Sequence, residues 1–179
     1  KAVVAATVGA TEAAEAVGQE LAALLAGYGS INRAARAAQV PTIGVAHGTV
    51  NGCVTEHGVP MAGFDHEFTT TILFSAGVQA FMLGHIHKHQ SWEDSGRVIA
   101  YAGSIGRFHH GEHDAKGFLQ WEVGAAVARF RLVETPARRT VDLVFEGGPD
   151  ADQIAAAIRE VDIAGAHVRV RWQVGEEAR

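Results

Sequence analysis

The spacing of apolar residues changes several times along the chain, and each change predicts an element. AVVAATV at residues 2–8 has the length and composition of a short buried strand. In TEAAEAVGQELAALLA (11–26), Val17, Leu21, Leu24 and Leu25 recur near a helical period. Thr11 is a candidate cap for this helix and Gly27 a candidate stop. A second helical piece is expected over 31–39, broken by Pro41. TIGVA (42–46) reads as a strand that delivers His47 and Gly48, and the polar, Gly-rich stretch 48–66 reads as a long loop. A short helix near 68–76 precedes the strand VQAFML (78–83), and RVIAY (97–101) makes a further strand. FLQWEV and AVARFRLVE flank Gly124-Ala125 as a hairpin.

The pattern changes near Thr135-Pro136. TVDLVFEG (140–147) alternates as a strand does. DADQIAAAIREVD (150–162) places Ile154, Ile158 and Val161 on one helical face behind Asp150, a candidate cap. HVRVRWQV (167–174) sets valines and Trp172 on one face and Arg169, Arg171 and Gln173 on the other. These three segments make a small βαβ-like unit, which divides the chain into 1–134 and 135–179. The alternation of strands and helices predicts an α/β fold.

Composition narrows the class. With 47% hydrophobic and 20% charged residues, the chain has the balance of a soluble globular protein. No run approaches the ~18–20 apolar residues of a membrane span, and no signal peptide is present, so a cytoplasmic location is expected. One cysteine, Cys53, rules out an internal disulfide and suits a reducing compartment. The net charge of −5 argues against nonspecific coating of nucleic acid, yet permits an enzyme that meets phosphates through metals and local arginines. A start at Lys1 and an end at Arg179, just after a strand-like run, read as a piece of a longer polypeptide.

The chemistry concentrates in LGHIHKHQ (83–90). His85 and His87 stand at i and i+2, which puts both on one side of an extended segment. Imidazole suits divalent zinc, manganese, iron or nickel. The two residues can share one ion or hold one each of a pair ~3.5–4 Å apart. His47 also follows a strand and precedes a glycine, and neighbouring strand ends converge at one edge of a layered α/β protein. His47, His85 and His87 are therefore candidate metal ligands; ordinary strand-end histidines are the other reading. His89 continues the alternation but sits between Lys88 and Gln90, as a solvated residue would. His109, His110 and His113, with Glu112 and Asp114, make a second metal site, a polar rim or a plain surface loop. His57 and His66 carry no spacing signal, and Asp65 either orients a histidine from behind or is an exposed turn acid. Arg107 either meets a substrate phosphate or pairs with Glu112 to hold its loop. Ser104 is a turn residue, and no nucleophile elbow supports covalent catalysis, so no catalytic residue is assigned. Arg129, Arg131, Arg138 and Arg139, like Arg169 and Arg171, face DNA, a partner or solvent.

The order of these motifs is specific. PTIGVAHGTVNG, LGHIHKHQ, YAGSIGRFHHGEHDAKGFLQWEV and ETPARRTVDLVFEG resemble the calcineurin-like metallophosphoesterases and, within them, the SbcD-like nuclease subunits. The resemblance implies part of a four-layer αββα sandwich (1–134) followed by the start of a small α/β capping domain (135–179). It implies metal-dependent phosphodiester hydrolysis on DNA with two divalent ions, manganese being expected. His47 and His85 would bind one ion and His87 the other. The implied partners are DNA and an SbcC-like ATPase, with a homodimer in the complete protein and no membrane. Ala102 departs from the proline this family places before Gly-Ser. The Asp-x-His, Gly-Asp-x-x-Asp and Gly-Asn-His-Asp/Glu motifs of the family are absent, so the chain holds histidine ligands without the carboxylates. Inactivity of the chain alone is expected, since two divalent ions held only by neutral imidazoles repel. A phosphatase or cyclic-nucleotide phosphodiesterase of the same superfamily, or a noncatalytic assembly module, are the alternatives.

Overall fold

The computed structural model describes residues 10–55 and 67–173; the strand expected at 2–8 and the residues His57, Asp65 and His66 lie outside these. The first described element is a single helix, α1 (Ala10–Ala37), where a stop at Gly27 and a separate piece from 31 were expected. Tertiary packing carries the helix through its glycines, each of which costs up to about 1 kcal/mol against alanine. Gly29 is buried, and a Cβ there would lie 2.1 Å from the Ser75 carbonyl oxygen. That close approach belongs to helix α2 (Thr70–Ser75), whose last carbonyls need partners. Asn32 donates to the Ala76 carbonyl at 2.7 Å, and Arg36 donates to that of Gly77 at 2.9 Å. Helix α1 ends ahead of Pro41 with Gln39 in the left-handed region, φ 61°.

The central sheet has four strands in the order β1-β4-β6-β5: β1 (Ile43–His47), β4 (Ala80–Gly84), β6 (Arg97–Tyr101) and β5 (Gln90–Asp94). The first three run parallel, and β5 runs antiparallel on β6. Two short strands pair: β2 (Thr49–Val50), inside the stretch expected to be loop, and β3 (Glu67–Phe68), just after it. Side chains alternate across a strand, and here parity selects the layer. Phe81, Leu83, Ile99 and Tyr101 join Leu73, Ala76 and the half-buried Leu25 on the helix side. Ala80, Val98 and Ala100 join Met82 on the other side, under Ala128, Trp121 and Phe130. The latter three belong to the hairpin β7 (Gly117–Val123) and β8 (Ala128–Glu134). The result is a mixed α/β arrangement of helices, sheet and hairpin. Strand β1 lies at the sheet edge; its Ile43 and Val45, in register with Ala80 and Met82, are 55% and 75% exposed.

The βαβ unit forms as the alternation foretold: β9 (Thr140–Glu146), α3 (Ala151–Glu160) and β10 (His167–Gln173), with β9 and β10 parallel. Asp150 caps α3 through a reciprocal capping box with Gln153. The apolar face of this unit is thinly covered. Leu143 is buried, whereas Val168 and Trp172 on the same face remain 38% and 52% exposed. The polar face is internally paired. Arg169 grips Asp142 in two hydrogen bonds of 2.7 and 2.5 Å, and Arg171 lies 3.8 Å from the same carboxylate. The bonds from Arg169 hold the Asp142 carboxyl below its ordinary range. Arg139 likewise pairs with Asp162, and Arg131 with Gln120.

Tyr101, at the end of β6, ties the sheet to the segment after β1. Its hydroxyl donates to the Gly48 carbonyl at 2.5 Å and accepts from the Val50 N–H at 2.9 Å, and burial pushes its ionisation well above the ordinary tyrosine range. Tyr101→Phe leaves both backbone groups without that partner. The expected loss is about 1–3 kcal/mol of stability, read by urea unfolding; a change below a few tenths would show that water replaces the hydroxyl at no cost.

Candidate metal centre

The site begins with register. His47, the last residue of β1, is paired with Gly84, the last residue of β4. Two parallel strands thus end side by side at their C-terminal edge, where α/β proteins gather functional groups. The His47 ring occupies the space a Cβ at residue 84 would need, since that atom would sit 2.9 Å from His47 Nδ1. Gly84 therefore makes room for one imidazole and directly precedes another. The His47 and His85 rings meet edge to face with centroids 5.2 Å apart, and both residues are exposed.

His85 has φ 107°, a region that a residue with a Cβ adopts only under strain. The extended segment expected through His85 and His87 therefore does not exist. Strand β4 stops at Gly84, and β5 starts at Gln90. Between the two histidines, Ile86 is buried in the helix-side core and anchors the bend. His87 has other neighbours: Phe108, with ring centroids 5.6 Å apart, and His109, whose ring is nearly parallel at 6.3 Å and 15°. Its Nδ1 is buried, has no hydrogen-bond partner among the described residues, and lies 3.7 Å from Oε1 of Glu112.

His89 goes elsewhere. Its Nδ1 is 2.7 Å from the Tyr101 carbonyl, which can only accept, so that nitrogen carries the proton; the ring packs edge-on against Phe130.

The motifs that looked most specific in the sequence turn out to support the histidine turn. Glu112 and Lys116 are both buried and form an ion pair. Lys116 also donates to the His87 carbonyl at 3.1 Å. Glu112 accepts from the N–H groups of Phe108 and His109, each at 3.2 Å, and lies within 3.2 Å of the Ser104 hydroxyl. Burial acts to raise the Glu112 carboxyl, but Lys116, the Phe108 N–H and Ser104 together outweigh it and hold the group below its ordinary range. Gly103 has φ 82°, and a Cβ there would lie 3.0 Å from the His89 nitrogen and 3.1 Å from the His87 carbonyl oxygen. Ser104 is a turn residue, as expected.

Arg107 holds its loop and bonds to Glu112, as the structural reading expected, but through the backbone. It donates to the backbone carbonyl of Glu112 at 2.8 Å, not to its carboxylate, and to the carbonyls of Ala137, Arg138, His113 and Asp114 at 2.7–3.4 Å. Five donors on five carbonyls leave none for a phosphate. The arginine instead binds the loop to the junction at 135–139, assisted by Thr140 donating to the His110 carbonyl. In the same loop His110 faces Asp142 at 3.4 Å, and Asp114 meets Lys88 at 3.5 Å.

The loop thus divides: His109 and Glu112 join His87, and the other polar residues hold the structure together. Neutral imidazoles are fitting donors for a divalent transition ion at either place. Sequence reasoning grouped His47, His85 and His87; the structure brings His47 to His85, and His87 to His109 and Glu112. No protein-family model matches the chain, and no curated protein matches it.

Proposed function

We propose that the protein is the histidine-bearing part of an SbcD-like metallophosphoesterase that hydrolyses phosphodiester bonds of DNA. The observation that carries this reading is the His47–His85 pair: two imidazoles at the C-terminal edge of a parallel sheet, one on a strained backbone. Strain of about 1–3 kcal/mol persists where a fold over-determines a residue, and such residues cluster at functional sites. The helix–sheet–hairpin layering supports a sandwich of the αββα kind, with β1 leaving an apolar face open for further sheet. The βαβ unit after residue 135 supports a capping domain.

In this reading His47 and His85 hold one divalent ion and His87 helps hold a second, with manganese the expected metal. Bound there, such ions would lower the pKa of a coordinated water and neutralise phosphodiester oxygens. The chain's own residues position that chemistry: Gly84 admits the His47 ring, Ile86 anchors the bend, and Lys116 fixes the His87 carbonyl. The metal-bound imidazoles must be unprotonated, so activity falls in acid. An SbcC-like ATPase, a second copy of the subunit and a cytoplasmic location belong to the same proposal. Among the described residues no helix is long and apolar enough to cross a membrane.

The test is manganese-dependent digestion of linear duplex DNA by the protein as its source cell makes it, beside a phosphomonoester. Shortening of the DNA, abolished by His85→Ala, is the expected result. Cleavage of the monoester alone would move the protein to the phosphatases, and cleavage of neither would leave an assembly module.

A further inference from the structure

We propose that His87, His109 and Glu112 form a metal site of their own, built on the 104–116 loop and selective for a zinc-like divalent cation. This rests on the reading above and deepens it by naming the donors of the ion that His87 would hold, which put a zinc-like ion there in place of manganese. One ligand atom from each of the three residues falls within a group spanning 4.8 Å.

The separation between His87 Nδ1 and Glu112 Oε1 carries the argument. At 3.7 Å it is too long for a hydrogen bond. A nitrogen and an oxygen each about 2.0–2.2 Å from one ion stand about 3–4 Å apart. His87 Nδ1 is moreover buried with no hydrogen-bond partner among the described residues, although nearly all buried polar atoms have one. A cation between the two atoms would satisfy that nitrogen.

The loop is shaped to bring the third donor. The Glu112 N–H donates to the His109 carbonyl at 3.2 Å, and the His109 N–H donates to Glu112 Oε1 at 3.2 Å. The turn therefore presents His109 and Glu112 as a unit. The His109 ring lies beside that of His87, with centroids 6.3 Å apart. The carboxylate divides its work: Oε2 faces Lys116, and Oε1 faces His87. His109 is exposed, which gives the ion a way in from solvent. Two imidazoles and one carboxylate favour zinc, cobalt or nickel over magnesium or calcium and leave a fourth position for water.

The test uses cobalt(II), whose visible absorption reports tetrahedral coordination, in a His47→Ala/His85→Gly protein that lacks the other histidine pair. One equivalent should bind with a tetrahedral band, and adding His109→Ala should weaken binding at least about tenfold. His109 is exposed, so its replacement leaves the packing intact, and circular dichroism checks that it does. Zinc should also raise the melting temperature of the double variant, an increase that His109→Ala abolishes. Equal cobalt affinity with and without His109, or no binding while His87 is intact, would overturn the site. Neither readout depends on DNA cleavage, so failure of the nuclease reading is seen separately.

Discussion

Lys116→Met in metal-free protein at neutral pH is expected to cost about 3–5 kcal/mol, the range found when one partner of a buried ion pair is removed. The Glu112 carboxylate would stay buried with its neutralising ammonium gone, and the His87 carbonyl would lose the nearer of its two donors, keeping only Ser104. The dependence on pH should also reverse. In the parent, the Glu112 carboxyl is depressed on folding. Its stabilising contribution is therefore present above the unfolded pKa of about 4.3 and is lost as pH falls through the lower folded value. In Lys116→Met, burial without the cation raises the folded pKa above the unfolded one. That variant should gain relative stability on acidification, as the carboxyl takes up a proton. Urea unfolding across pH 3–7 compares the two curves. Parallel curves would show that the ion pair is not what holds Glu112. The double replacement Lys116→Met/Glu112→Leu should recover much of the loss, because it removes both charges together.

His85→Gly separates the strain from the ligand. The backbone at φ 107° suits glycine, so the substitution is expected to raise stability by about 1 kcal/mol, strain relief exceeding glycine's own entropic cost. His85→Ala keeps a Cβ in the strained region and should not share the gain. Both should lower divalent-metal affinity at the His47 pair by about 100-fold or more, beyond the usual effect of losing a supporting residue. Thermal unfolding of metal-free protein and metal titration measure the two effects independently. A glycine variant less stable than the alanine variant would remove strain from the account of this position. Unchanged metal affinity in both would remove His85 from the ligands.

Elements with a strong local period were legible. The strands at 97–101 and 140–147, the hairpin and the helix behind Asp150 form where the pattern put them. The helix stop at Gly27 failed because a glycine reads as a breaker only in isolation. In the fold, Gly29 admits the Ser75 carbonyl, and the last turns of α1 cap α2 through Asn32 and Arg36. The histidine alternation also misled. His85, His87 and His89 share a parity, yet they face His47, Glu112 and the Tyr101 carbonyl respectively. A period of two governs direction only while the strand lasts, and this one ends at Gly84.

The partner of Glu112 shows the same limit from the side of electrostatics. Arg107 and Lys116 both stand within five residues of it; the sequence offered Arg107 as its partner, whereas the carboxylate goes to the buried lysine and the arginine takes the backbone carbonyl. The spacing Gly-Glu-x-x-x-Lys-Gly-Phe (111–118) was the available signal. The sequence by itself determined the periodic elements, the α/β class, and which residue types could bind metal. These depend on neighbours a few positions apart along the chain. Tertiary structure decided which imidazoles meet, which carboxylate is buried, and which cation neutralises it. Desolvation makes those choices, and it acts on a side chain only after the loop has closed over the sheet end and removed the water that would otherwise serve every polar group equally.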